Sequence, residues 1–241
     1  MNRKIWKALG IAVCMLALAA PRAMAETHSH MVSNDGILKQ AIKAINDSSD
    51  DNANEIILTN GFTLGGDPTE YTLRRGTTTI KGEGNTITVN PGAGIKVTGE
   101  KTVLNLGAEG YAEKLTIEGD TKVAFITVSG GATANMYGNV TLQNRMSADN
   151  ACVVIMGSDP VTGSKSVFNM NGGVIKKCSR AVIVDSGATF HMLSGKIEDC
   201  RVGGNGVISV NGGSGFIMDG GTISGLSLIH ISEPTRHLRI S

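Results

Sequence analysis

The chain has 241 residues, with 32 glycines against one Trp and three Tyr, and a formal net charge of +1. That length holds one sizeable domain or two small ones, and a composition rich in glycine and poor in aromatics suits thin strands and tight corners better than a helical bundle. Long helix-period segments are missing after about residue 47, which argues against an alternating βα sheet.

Residues 1–25 read as a secretion signal. Arg3, Lys4 and Lys7 give a basic start, Ala8 to Ala20 is an apolar run, and Ala23-Met24-Ala25 fits a small-residue cleavage site, with cleavage after Ala25. The run is too short to span a bilayer, which takes roughly 18 or more apolar residues. A lipoprotein anchor at Cys14 is rejected, because Val13 is bulky where a small residue is needed and too little apolar chain precedes it. The mature chain is therefore expected to be secreted or at the cell surface, with no transmembrane segment.

Residues 26–33 are polar and expected to be loose. Asp35 is placed to cap a helix from Gly36 to Asp47, with Ile37, Leu38, Ala41, Ile42 and Ile45 on one side and Lys39, Gln40 and Lys43 on the other. Such a helix can close the exposed apolar end of a first coil, as solenoids require. Residues 26–53 form this N-terminal segment, ending in an acidic loop from Ser48 to Ala53.

Short strands follow from residue 54 to 225. Glu55–Thr59, Gly61–Leu64, Tyr71–Leu73 and Thr77–Val89 come first, then Ile95–Val97, Val103–Leu106, Leu115–Ile117 and Ala124–Val128. From Ala134 one phrase returns four times. Phe168-Asn-Met-Asn-Gly-Gly-Val-Ile175 is its clearest copy; Phe190–Ile197 and Phe216–Ile223 repeat it, and Ala134–Val140 is a worn version. Its methionines, Met136, Met170, Met192 and Met218, lie 34, 22 and 26 residues apart. A phrase returning at such intervals marks a solenoid. Phe-x-Met puts two apolar side chains on one face of a strand, the Gly-Gly or Ser-Gly pair turns the chain, and Val-Ile starts the next strand. With the strand-turn pairs upstream (Ile126–Gly131, Val182–Gly187, Val207–Gly213), this gives three strands and three corners per coil. Met170, Met192 and Met218 are expected to line up along one axis. The insertions Gln143–Ala151 and Gly157–Ser166 account for the longest interval; they read as neutral surface insertions or, if this segment carries a specific site, as the first candidates for binding loops.

The order helix, strand, Gly61-Phe62-Thr63-Leu64, then Thr79-Ile80-Lys81-Gly82-Glu83-Gly84-Asn85-Thr86-Ile87 resembles the entrance to the pectin-lyase-like right-handed parallel β-helix. The later coils look like those of bacterial secreted and cell-surface repeat proteins, many of them adhesin-like. The resemblance covers about residues 36–225 and implies an all-β, single-stranded right-handed parallel β-helix with an N-terminal capping helix. It says little about activity, because one fold hosts many functions.

Chemistry is sparse. Cys178 and Cys200 are 22 residues apart, the coil interval, and should stack; a disulfide between them and a pair of buried thiols are both open, since parallel stacked side chains fit disulfide torsions poorly. The same offset places Lys176 over Glu198 and Lys177 over Asp199, read as a surface charge ladder rather than a glycosidase pair. No His partners share the cysteine spacing, so no metal site is expected. Gly212–Ile217 begins like a calcium nonapeptide, but Ile217 stands where the aspartate belongs. Pectinolytic hydrolases of this fold carry Asn-Thr-Asp, Asp-Asp and Gly-His-Gly motifs; only Asp50-Asp51 supplies such a pair, and it precedes the helix. His28 and His30 fall in the start, and His191 faces outward between Phe190 and Met192. No catalytic, cofactor or metal residue is assigned.

The last 16 residues, 226–241, contain no glycine, and Leu226–Arg236 looks like a translated transposon-end adapter used in sequencing libraries. They are set apart from the fold as non-native, so the chain is expected to be the front part of a longer protein. Without both ends the charge falls to about −4, from 16 basic and 20 acidic residues, giving no electrostatic case for nucleic acid. The expected function is a structural or adhesive surface module offering polar faces to an extracellular glycan or a host or cell-surface protein. The alternative is a polysaccharide lyase or hydrolase, which would need convergent carboxylates or Arg/Lys in a groove.

Overall fold

A computed structural model describes residues 27–49, 53–120, 122–144, 151–202 and 206–228. The chain winds as a parallel β-solenoid with three faces. The first carries Thr27–Val32, Ala53–Leu58, Thr77–Lys81, Val103–Leu106, Thr133–Met136 and Gly215–Met218. The second carries Phe62–Leu64, Thr86–Val89, Leu115–Glu118, Val140–Gln143 and Thr222–Ser224. Two long strands, Val167–Lys176 and Thr189–Glu198, bend round the corner and serve both faces. The third holds Thr72–Leu73, Ile95–Thr98, Ile126–Ser129, Val153–Met156, Val182–Asp185 and Ile208–Val210.

Along most strands of the central coils buried residues alternate with half-exposed ones, so each of these coils sends one set of side chains inward. In register, Ile56, Ile80, Leu106, Met136, Met170, Met192 and Met218 form one column. Beside it stand Phe168, Phe190 and Phe216, with ring centroids 5.7 and 5.1 Å apart. The alignment of the methionines expected from the phrase is therefore observed.

The Gly-Gly pair of the phrase has a packing reason as well as a conformational one. Gly173, Gly195 and Gly221 have φ of +81°, +92° and +87°. A Cβ at these positions would lie 2.7, 2.8 and 2.5 Å from the terminal methyl of Met136, Met170 and Met192 respectively. Each methionine thus occupies the space left by the glycine of the following coil, and the two residue types recur together because they fill one site.

The helix runs Asp35–Asp47 and buries Leu38, Ala41, Ile42 and Ile45 over the N-terminal end of the core. Its cap is Asn34 rather than Asp35: the Asn34 side chain accepts the Ile37 N–H at 3.0 Å. The Asp35 carboxylate is engaged elsewhere, 3.1 Å from Lys39 and 2.5 Å from the Tyr71 hydroxyl. The segment expected to be loose is also corrected. Thr27–Val32 is a strand paired in parallel with Ala53–Leu58, because its backbone completes the open edge of the first coil while Val32 is buried. At the other end Ser227–Leu228 pairs with Arg201–Val202, so the first residues of the segment set apart from the fold do join it. Residues 1–26, where the secretion signal is expected, Asp50-Asp51 and residues 229–241 lie outside the described residues.

The disulfide joins Cys152 to Cys178, 26 residues apart, and Cys200 is a buried free thiol. The Cys178–Cys200 bond entertained from spacing is not formed. Ile175 pairs with Ile197, which sets Cys178 and Cys200 straight above one another with side chains running in parallel. Val153 pairs with Val182, so Cys152 and Cys178 meet on a diagonal across the corner instead, which a disulfide can bridge.

Candidate binding surface at the corner of the first two faces

The outward side of the first face carries a chain of side-chain hydrogen bonds parallel to the solenoid axis. Asn169 donates to Asn135 Oδ1 at 2.9 Å, Asn135 to Asn105 Oδ1 at 2.8 Å, and Asn105 to Thr79 Oγ1 at 3.2 Å. Parallel in-register strands place the same outward position of successive coils one strand spacing apart, about 4.8 Å, which is what lets the amides meet. Asn105 and Asn135 each spend one N–H and one lone pair on their neighbours, and Asn169 spends one N–H; the other N–H and lone pair of each amide remain. One coil further, His191 stands in the same column and its Nε2 lies 2.6 Å from Asp219. At the other end Lys81 pairs with Glu55 at 2.7 Å.

The corner between the first and second faces is short in most coils but extends to residues 107–114 in one. There, Tyr111 turns toward the preceding coil, hydrogen-bonds Glu83 and lies under the Lys81 ammonium, 5.4 Å from its ring centre. On the other side, the Asn139 amide donates to the Glu113 carbonyl at 2.6 Å. Held from both sides, the loop overhangs the next two coils. Glu109, Tyr137 and Asn171 line the resulting cleft, whose volume is about 250 Å³. Tyr137 and Asn171 occupy the position after the inward Met136 and Met170, so alternation turns them outward. Glycine keeps this floor low: a Cβ on Gly172 would fall 2.8 Å from the Gly138 Cα.

A second cavity of about 400 Å³ lies against the helix, lined among others by Lys39, Lys43, Glu70 and Arg74. Its charges fasten the cap. Lys39 sits 3.1 Å from both Asp35 and Glu70, and its proton is held well above the usual lysine range by Glu70 first and Asp35 second. Lys43 pairs with Asp47.

The two insertions named from sequence as candidate loops fall elsewhere. Gly157–Ser166 forms a small hairpin closed by a Ser158–Lys165 bridge. Asp159 accepts the N–H groups of Thr162 and Val161 there, which holds its carboxyl pKa below the ordinary value. Of the other insertion, residues 145–150 lie outside the described residues. Lys176 does face Glu198 across neighbouring coils. The pair extends a longer column in which Gln143 faces Lys176 on one side and donates to Glu118 at 2.7 Å on the other. Lys177 and Asp199 are corner residues with φ of +52° and +53°. His28 and His30 belong to the first strand. Among the described residues, no group of three or more His, Cys, Asp or Glu is arranged to hold a metal, and no helix is long and apolar enough to cross a membrane.

These features define a parallel β-solenoid with a helical cap, a polar ladder on one face and a cleft at its edge. Comparison with protein families, with curated proteins and with solved structures finds no match.

Proposed function

We propose that the protein is a secreted or cell-surface structural module that binds an extended extracellular glycan or surface protein along its first face. The observation that carries this reading is the Thr79–Asn105–Asn135–Asn169 chain. It repeats one donor–acceptor pattern at the strand spacing, and a repeating ligand lying along the axis meets the same chemistry in each coil. The amides are pre-ordered by one another, so little side-chain entropy remains to be lost on binding. The N-terminal pattern of Arg3, Lys4, Lys7 and the Ala8–Ala20 run supports export.

The test is retention of the full chain on immobilised polysaccharides and on extracellular matrix proteins, alongside a polysaccharide-degradation screen. Binding that weakens when Asn135 is replaced by Leu supports the reading. Robust depolymerisation, or binding indifferent to Asn135→Leu, overturns it.

A further inference from the structure

The cleft at residues 109, 137 and 171 has the composition of a small-molecule site rather than of a solenoid corner. Its floor offers the ring of Tyr137, half-buried and flanked by the exposed Gly138, beside which a Cβ would meet nothing within 4 Å. Its sides offer the Asn171 amide and the Glu109 carboxylate. None of these three side chains makes a hydrogen bond or ion pair with another described residue. The overhanging loop, by contrast, is tied down through Tyr111–Glu83, Tyr111–Lys81 and Asn139–Glu113. The walls are thus fixed while the polar groups facing the cleft remain open.

From these groups we infer that the cleft binds one uncharged pyranose unit of a glycan, with its C–H face on the Tyr137 ring and its hydroxyls on Asn171 and Glu109. An aromatic face with an amide and a carboxylate matches a ring that is apolar on one side and bears hydroxyl donors and acceptors at its rim. The volume, about 250 Å³, falls below the roughly 300 Å³ at which sites for drug-sized ligands begin, and suits a single sugar ring. Charge decides between sugar classes. Glu83, Glu109 and Glu113 crowd the loop and the coil before it, against Lys114, while Lys81 is committed to Glu55. The Glu83 hydrogen bond first, then burial, then the charges of Glu83 and Glu113 hold the Tyr111 proton up to about 12. A uronate or sulfate brought here meets net negative charge, and a neutral hexose does not.

This inference rests on the surface reading only in taking glycan as the ligand class, and the experiment separates the two. The full chain is titrated with methyl β-glucoside, methyl β-galactoside and galacturonate, following saturation transfer and the tyrosine ring resonances by NMR. A neutral glycoside should bind and perturb Tyr137, and galacturonate should bind at least about tenfold more weakly. Tyr137→Ala should weaken the neutral ligand about tenfold or more, the loss of one stacking contact worth about 1.4 kcal/mol. Asn171→Ala, a milder change, should weaken it too, and Glu109→Gln should narrow the gap to galacturonate. Galacturonate binding as well as the neutral glycosides, or affinity unchanged in both Tyr137→Ala and Asn171→Ala with native circular dichroism, overturns the cleft assignment. Should polysaccharide retention survive in those variants, the surface reading stands without the cleft. Should methyl glycosides bind while polysaccharide is not retained, the cleft stands without the surface reading.

Discussion

Tyr71 shows how a polar atom is kept inside the capped end of the solenoid. The residue is fully buried, yet its hydroxyl lies 2.5 Å from both the Asp35 carboxylate and the Gly65 carbonyl, and Lys39 stands over its ring at 5.3 Å. Burial first, and then the Asp35 hydrogen bond, push its ionisation up to about 12. The unfolded chain releases that proton near the ordinary tyrosine value of about 10. Between these two values the unfolded state binds fewer protons than the folded one, so stability falls as pH rises. The contribution is full below pH of about 10 and gone once pH has passed through about 12. Tyr71→Phe should therefore cost about 1 kcal/mol at neutral pH through the lost hydrogen bond, and flatten the alkaline decline. Urea midpoints measured from pH 8 to about 12 read both effects. Tyr111, raised by Glu83 in the same window, should leave a residual slope, which Tyr111→Phe removes.

At the scale of single coils, the cysteines separate what spacing reveals from what it hides. The chain places Cys178 26 residues after Cys152 and 22 before Cys200, and both intervals are coil-like. Only the corner geometry selects Cys152. Peptide mapping without reduction should find Cys152 linked to Cys178, with Cys200 alkylated only on unfolding, since it is buried and its thiol is pushed up by that burial. Cys152→Ser should cost about 2–4 kcal/mol; a Cys178–Cys200 linkage in the map would refute the assignment. The strands and the phrase were legible because inward Phe and Met, and the glycine under each methionine, leave a strict record. The first strand was not, because in Thr27–Val32 the positions in register with the buried Asn54, Ile56 and Leu58 are His28, His30 and Val32, only one of them apolar. The cleft was half legible. Tyr137 and Asn171 hold one position in the phrase, the residue after the inward methionine, but the loop bearing Glu109 belongs to no repeat and bends over by contacts that sequence spacing does not encode.

Over the whole molecule, each coil touches mainly its neighbours, so stability is a sum of coil terms and nearest-neighbour terms. The two ends differ. The helix closes the first coil with four buried side chains, whereas in the last described coil Ile217 and Met218 are 47% and 45% exposed and Phe216 is only partly buried. Opening should therefore begin at the C-terminal described coils, where the outermost described strand has a described neighbour on one side alone. Phe190 sits one coil inside that end, tilted against Phe168 and stacked on Phe216. Phe190→Ala should cost about 3–5 kcal/mol, but the loss should be distributed unevenly. Hydrogen exchange should accelerate most in residues 182–224 and least in the Asp35–Asp47 helix and the coils against it, because the missing ring is felt one interface at a time. Phe216→Ala, whose ring has no coil beyond it among the described residues, should cost less and speed exchange over a shorter stretch. A uniform loss of protection from the helix to residue 224 in Phe190→Ala would mean that the chain unfolds as a single unit, and that neighbouring coils are coupled far more strongly than nearest-neighbour stacking provides.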